Sequence, residues 1–404
     1  MNIFSIFTLL SLFYVYQAFR LGQTIWGDWA NFKKNPMTQL QKQRANRAAF
    51  FIVVPFSVAI HELAHALAIW LFGGQVVGGG FFFFWGYVVP SGTFSPFENW
   101  FISLAGTIGS LLVGLSVWLY YRGSSSNTLH YFGVRAVREQ IILSLIYYPV
   151  FTAVSQIGDW RSIYDFAATP LWSSITAVFH TIILIGYFLM ERQGRFDQLA
   201  FRTMAEKDKY DQLQTALKNG LDPKLQLQEI ALLRENGLRR LAGNKLSGFI
   251  KQYPNNGDAY YELVLLQINT QQKAVPAIAY NNIQKAMALG ISSKNKQVFA
   301  YRVIGQYHLD RGELETAIEQ YGLGLKFFDL TQLNAFSSQE KSILASLFHA
   351  RSLALKELSQ FERAHQDIHQ AIDLAMLNGN KTAVQQFEET RASINQAQQA
   401  TIRS

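Results

Sequence analysis

The sequence predicts a mainly α-helical protein in two parts. A polytopic helical membrane domain with a re-entrant β-hairpin comes first, and a soluble α-helical repeat (solenoid) domain follows. Three observations carry this reading. Charge is uneven: residues 1–190 hold 10 Lys/Arg and 6 Asp/Glu, whereas residues 191–404 hold 26 and 22. The first part contains five apolar stretches close to the roughly 20 residues that a helix needs to cross a bilayer. The second part repeats small residues at the spacing of stacked helical hairpins.

The expected spans are 2–19, 48–72, 99–121, 139–157 and 171–190. Each should be helical, because lipid offers no partner for free backbone groups. The first lacks the positive start and small-residue cleavage site of a signal peptide, so it is expected to be retained. Pro149 should kink the fourth. Residues 73–96, "GGQVVGGGFFFFWGYVVPSGTFSP", are uncharged and rich in glycine. That composition opposes helix, yet Phe81–Phe84 and Trp85 do not belong in water. A β-hairpin or re-entrant loop sheltered by protein reconciles the two.

After Met190 the chain becomes polar and helix-compatible, and 191–220 reads as a helical linker. From 221 to 404 a repeat pattern appears. It runs through Ala242, Leu246 and Phe249, then Ala279, Ile283 and Ala286, then Gly312, Ala317 and Tyr321, then Ala364, Ile368 and Ala371. The small residues let paired helices approach, and the apolar positions three or four apart face the next pair. This resembles degenerate tetratricopeptide repeats over roughly 221–380. The resemblance implies a surface for a peptide or protein partner.

The net charge of +8 is shared equally by the two parts. Without a basic stripe or tail, nucleic acid is a poor partner; the lipid bilayer suits the chain better. No cysteine is present, which excludes disulfides and thiolate metal sites.

The chemistry concentrates in "HELAH" on the second expected span. His61 and His65 are four residues apart, hence neighbours on one helix face. Their imidazoles can bind one Zn²⁺. Glu62 lies beside them and can take a proton from a water that the metal has made acidic. Ionisable groups at membrane depth are costly and mark function.

Two histidines leave zinc short of a protein ligand. Glu98, Glu139, Asp159, Asp165, His130 and His180 are the candidates in the first part. His130 lies in a polar loop reading, and Glu98 and Glu139 fall at expected helix starts. Asp159, closing the fourth span beside Gly158 and Trp160, is the preferred third ligand, with Asp165 next. His180 reads as a packing histidine.

With these residues in place, the chain resembles the site-2 protease family of intramembrane zinc metalloproteases over roughly 48–166. "HELAH", a glycine-rich hairpin and "SLAGTIGSLL" carry the resemblance. The family's Ala-Gly-Pro…Asn motif is matched by Ala105-Gly106, with Thr107 for proline and Ser110 for asparagine. Its Asn-x-x-Pro…Asp-Gly motif is met by Pro149 and Gly158-Asp159, without the asparagine and without Asp-Gly. The resemblance implies hydrolysis of peptide bonds in membrane-protein substrates, with Glu62 as base and then acid. The composition of the hairpin, which leaves a strand edge unsatisfied in a protected place, suggests that an unwound substrate pairs with it as an added strand. The alternative is a non-proteolytic membrane scaffold or adaptor acting through the repeats, its zinc site vestigial.

Orientation divides the arguments. Lys and Arg gather in 20–47 and 122–138, which puts the repeat domain in the cytoplasm. The family resemblance argues the reverse. The charge argument is preferred, because it rests on this chain's own residues.

Overall fold

The apolar segments of the first half form long helices, and the computed structural model describes residues 3–220, 222–268, 274–330 and 336–403. Asn2, Leu221 and Ser404, at the edges of expected segments, lie outside the described residues. The chain divides into two compact units, Met1–Lys218 with Glu235–Arg240, and Asn219–Arg234 with Leu241–Ser404.

In the first unit, α1 spans Ile3–Gly27. The helix α2, Gln39–Leu71, starts at a capping box: the Thr38 side chain accepts from the backbone N–H of Gln41. One wide turn, Ala49–Val53, interrupts α2 before Pro55. The missing N–H of proline leaves the ladder short there. Two strands follow, β1 Gln75–Phe81 and β2 Gly86–Ser91, paired antiparallel from Gln75 with Ser91 to Phe81 with Gly86. The helix α3, Pro96–Tyr121, opens on a second capping box, Ser95 with Glu98. Glu98 thus serves the helix start, as expected for an acid there.

The 122–138 segment departs from its loop reading. Ser126 caps a helix, α4, over Asn127–Ile141, because its side chain accepts from the Leu129 N–H. His130 is therefore helical and accepts a hydrogen bond from Gln198 at 2.6 Å. Glu139 lies near the end of α4, not at a helix start, and is held by Arg135 at 2.8 Å. A wide turn, Ile142–Tyr147, joins α4 to α5, Tyr148–Ser155. The fourth expected span is thus the end of a longer helical run from Asn127, and it stops within two residues of its expected end, at Gln156, which adopts a left-handed conformation. The last long helix of the unit is α6, Pro170–Arg192.

Three helices among the described residues are long and apolar enough to cross a membrane: α2, α3 and α6. On α6, Phe179, Ile182 and Phe188 are exposed. An apolar face of that size calls for a cover of lipid or protein.

The expected helical linker begins as an extended strap, and Phe201 exchanges backbone hydrogen bonds with Met37 and Gln39. Helix returns at α7, Met204–Asn219.

From Pro223 onward the described elements are helices: α8 Pro223–Glu235, α9 Arg239–Gln252, α10 Gly257–Gln267, α11 Ala277–Leu289, α12 Lys294–Leu309, α13 Leu314–Leu325, α14 Ser338–Glu357, α15 Phe361–Leu377 and α16 Lys381–Arg403. From α10 onward each helix packs on the next, and α12 also reaches α14, as α14 reaches α16. Ala242, Ala279, Ala317 and Ala364 are fully buried, together with Leu246, Ile283, Tyr321 and Ile368. A methyl group at these points allows the close helix approach that larger side chains would block. Gly312 differs: it lies in the turn after α12 with φ +75°, where only glycine is unstrained.

Candidate metal centre

Helices α2 and α3 meet on a face of small residues. A Cβ on Gly109 would lie 2.9 Å from the Ala64 Cβ and 3.1 Å from the Ile60 carbonyl. Glycine there lets α3 lie directly against the turn of α2 that carries His61 and His65. Gly106 does the same beneath the imidazoles: a Cβ would lie 2.5 Å from His65 Cε1 and 2.6 Å from His61 Nε2. The Ala105-Gly106 motif therefore has a direct steric reason, room for two rings.

Each imidazole is anchored at its far nitrogen. His65 Nδ1–H donates to the Ile102 carbonyl at 2.7 Å. His61 Nδ1 lies 3.1 Å from Ser110 Oγ. Such partners fix the tautomer that leaves Nε2 with its lone pair facing the centre. Ser110 stands where the resemblance expects asparagine, and it supplies the polar contact to His61.

The third group arrives from almost a hundred residues away. After α5, Gln156 turns left-handed and Gly158 takes φ +123°. The chain reverses and delivers Asp159 to the two histidines. Asp159 Oδ2 is 2.9 Å from His61 Nε2 and 3.1 Å from His65 Nε2. Tyr148, on the first turn of α5, holds this carboxylate from behind. Its hydroxyl donates to Asp159 Oδ2 at 3.0 Å and accepts from the Asp159 N–H at 3.1 Å.

His61, His65 and Asp159 offer three ligand atoms within 4.8 Å of one another. Tetrahedral zinc with bonds of about 2.05 Å would set neighbouring donors roughly 3.3 Å apart. The two His–Asp distances fall within a few tenths of an ångström of that. Two imidazoles and a carboxylate, each with an outer partner, are a donor set that fits zinc.

The other candidates go elsewhere. Asp165 Oδ1 accepts from the N–H groups of Ala167 and Ala168 and closes a local turn. His180 bridges the Tyr164 hydroxyl and the Leu145 carbonyl, a packing arrangement. Glu98 and Glu139 are occupied as described above.

Glu62 is half-buried beside the histidines. It packs on the start of β2, where a Cβ on Gly86 would lie 2.6 Å from Glu62 Cγ. The hairpin therefore abuts the candidate base. Its tip is an aromatic knot: Phe82 stacks on Trp85 at 4.3 Å and Phe84 meets Tyr14 of α1 at 4.4 Å. The Phe82 N–H donates to the Trp85 carbonyl, and Ser11 donates to the Phe82 carbonyl. Phe83, Phe84 and Trp85 are thus partly covered, but Phe81 and Phe82 stay exposed, so protein shelters only part of the run.

Sequence reasoning missed Tyr148 and Gly86. For Tyr148 a signal existed, since a phenol in an apolar helix needs a polar partner nearby. For Gly86 there was none, because it is one glycine among several in the hairpin. Compared with models of known protein families and with curated proteins, the chain gives no match.

Proposed function

We propose that this chain is a membrane-embedded zinc endopeptidase of the site-2 protease type, whose C-terminal tetratricopeptide-like repeats recruit a substrate or regulator. One observation carries the reading: two histidines at helical spacing, with a glutamate between them, are met by an aspartate 94 residues beyond the second histidine. A packing cluster would have no use for Glu62 beside the same three groups.

His61, His65 and Asp159 would hold the ion. When bound, zinc supplies Lewis-acid polarisation of a scissile carbonyl and a more acidic water. Glu62 takes the proton of the attacking water and passes it to the leaving amine. Tyr148, Ser110 and the Ile102 carbonyl keep the three ligating side chains in place. The hairpin, lying against Glu62, offers backbone groups that can pair with an unwound substrate segment. Helices α2, α3 and α6 supply the membrane embedding, and the exposed face of α6 suits lipid. The Lys/Arg excess of 20–47 and 122–138 favours a cytoplasmic repeat domain.

The test joins metal analysis to proteolysis. Purified wild type should carry about one zinc per chain and cleave membrane-protein substrates. Glu62→Gln should keep the zinc and lose at least a hundredfold in rate, the usual scale for a general base. Equal cleavage by both proteins, or a wild type that binds no zinc, overturns the proposal.

A further inference from the structure

The C-terminal end of α3 borders an open cleft of about 580 Å³, whose lining includes Trp29, Lys33, Tyr120, Tyr121, Arg122 and Ser124. That size falls in the range of small-molecule sites, roughly 300–1,000 Å³. None of the lining residues is acidic, so Lys33 and Arg122 make the cleft positive. Asp28, at the head of the same short turn as Lys33, is engaged by Arg44 at 2.8 Å and by Asn31 at 2.6 Å.

The walls are held by packed residues. Trp29 stacks on the buried Phe32 at 5.8 Å, and Tyr121 meets Phe132 of α4 edge to face at 5.7 Å. Asn35 ties the segment after Lys33 to the turn after Arg122. Its side chain donates to the Ser125 carbonyl at 2.6 Å and accepts from the Asn127 N–H at 2.9 Å. Ser124 Oγ accepts from the Ser126 N–H at 3.1 Å, which leaves its hydroxyl proton to donate.

A second observation, on α3 itself, indicates what enters. Ile108, Leu112, Leu115 and Leu119 are exposed, and their spacing puts them on one face. Gly109 and Gly114, on the far side, pack on Ala64 of α2 and Gln140 of α4. The exposed stripe extends about 16 Å along the helix axis, and α3 is apolar enough to cross a membrane. Leu119 is itself part of the cleft lining. An acyl chain therefore has an apolar track that ends at two cations. Trp29, Tyr120 and Tyr121 add rings of the kind that settle at headgroup level. A free phosphate would match the cations and leave the track uncovered. A zwitterionic lipid would match the track but bring its own ammonium to a positive cleft.

We infer that the cleft at the end of α3 is a binding site for an anionic phospholipid, with the phosphate held by Lys33 and Arg122 and an acyl chain along Ile108, Leu112, Leu115 and Leu119. The inference rests on reading α3 as a membrane span and is independent of the zinc chemistry.

The test uses the full chain in dodecyl maltoside micelles, titrated with fluorescent phosphatidylglycerol and with phosphatidylcholine carrying the same acyl chains. Wild type should bind phosphatidylglycerol at least tenfold more tightly. Lys33→Gln with Arg122→Gln should erase that preference, whereas Lys33→Arg with Arg122→Lys, which keeps the charge, should retain it. Arg20→Gln with Lys34→Gln removes the same charge from exposed positions outside the cleft and should also retain it. The inference is overturned if wild type binds the two lipids alike, if the glutamine pair in the cleft keeps the preference, or if the charge-conserving pair loses it. It is also overturned if the pair outside the cleft loses the preference as fully, which would make the effect one of overall surface charge. Displacement of phosphatidylglycerol by an excess of glycerol 3-phosphate would assign the cleft to a soluble phosphate and overturn it as well. Alkaline carbonate washing of reconstituted vesicles separates the two readings. A chain retained in the vesicles without lipid preference refutes the site alone, whereas a chain washed out of them refutes the span of α3 and the site with it.

Discussion

Gly106→Ala is the sharpest probe of the candidate metal centre, because it adds one methyl group at the point where two imidazoles rest on a helix. The new Cβ would press on His65 Nε2, 2.5 Å from that ring's Cε1 and 2.6 Å from His61 Nε2. Non-bonded carbon contacts relax to about 3.5 Å, so each ring must withdraw by roughly 1 Å. His65 has little freedom to do so: it is buried and its Nδ1–H is held by the Ile102 carbonyl at 2.7 Å. The alternative is for α3 to move away from α2, which opens the contact at Gly109 as well. Overpacking of this kind costs about 1–3 kcal/mol. Displaced ligands lower metal affinity by about 10- to 100-fold, the range seen when a metal site's supporting shell is disturbed. The assay is zinc retention against a graded chelator, read on purified protein. Gly186→Ala is the control, since nothing lies within 4 Å of a Cβ there. Gly106→Ala should release zinc at chelator concentrations at least tenfold lower than wild type, and Gly186→Ala should not differ. If Gly106→Ala holds zinc as tightly as wild type, the two imidazoles do not share an ion above Gly106, and the ligand assignment falls.

Three other perturbations follow from contacts elsewhere. Tyr148→Phe removes the hydroxyl that holds Asp159 from behind; zinc affinity should drop by about 10-fold while the fold, by circular dichroism, is kept. A titration matching wild type would remove Tyr148 from the centre. Asp367→Ala strands the Arg351 guanidinium and should destabilise the second unit by about 3–5 kcal/mol. Adding Arg351→Met should recover most of that loss in denaturant melts, and no recovery would show that the pair is not the cause. His349 packs on Phe387 and contacts Thr390, and burial pushes its pKa down to about 4. It therefore stays neutral in the fold while the unfolded chain takes up a proton near pH 6.5. Its contribution is fully present above pH 6.5 and is lost as pH falls toward 4, by roughly 3 kcal/mol at most. His349→Gln should flatten the fall in melting temperature between pH 6.5 and 4.5; an unchanged slope would place the titration elsewhere.

What the sequence made legible divides along the range of the interactions involved. His61, Glu62 and His65 declare themselves because helical spacing is local: four residues fix one face whatever the rest of the chain does. The buried alanines at 242, 279, 317 and 364 were legible for the same reason, since a small residue in a helical pattern marks a helix contact. The Ser-rich stretch before α4 misled, because serine is both a loop residue and a helix cap. Ser126 acts as the cap, so His130 and Glu139 fall inside one helix instead of at its margins. The fourth expected span ends within two residues of its expected bound, because the left-handed Gln156 stops the helix where the apolar run gives way to Ser155, Gln156, Gly158 and Asp159.

That ending is what brings the third group of the candidate site back to the two histidines. Had α5 continued past Ser155, Asp159 would have been carried further along the helix axis, about 1.5 Å for each residue. The break at Gln156 and the reversal at Gly158 instead bring the aspartate back level with Tyr148, on the turn where α5 starts. The sequence shows a glycine before an aspartate, and a tyrosine before Pro149. Their relation lies in a conformation, φ +123° at Gly158, and in a steric limit. A side chain at 158 would meet Thr152 Oγ1 at 2.7 Å and the Tyr148 hydroxyl at 3.0 Å. The order Gly-Asp, where the resemblance expects Asp-Gly, thus puts the flexible residue before the carboxylate. In this chain the reversal must be finished before Asp159 is reached, because the aspartate itself is pinned at both its N–H and its carboxylate by one phenol. A double variant that exchanges the two residues, Gly158→Asp with Asp159→Gly, would move the carboxylate one residue earlier, into a φ that strains it and away from the Tyr148 contact. It should lose zinc as fully as Asp159→Ala. If it instead kept zinc, the clamp by Tyr148 would be incidental to the centre, and the family order would serve this fold equally well.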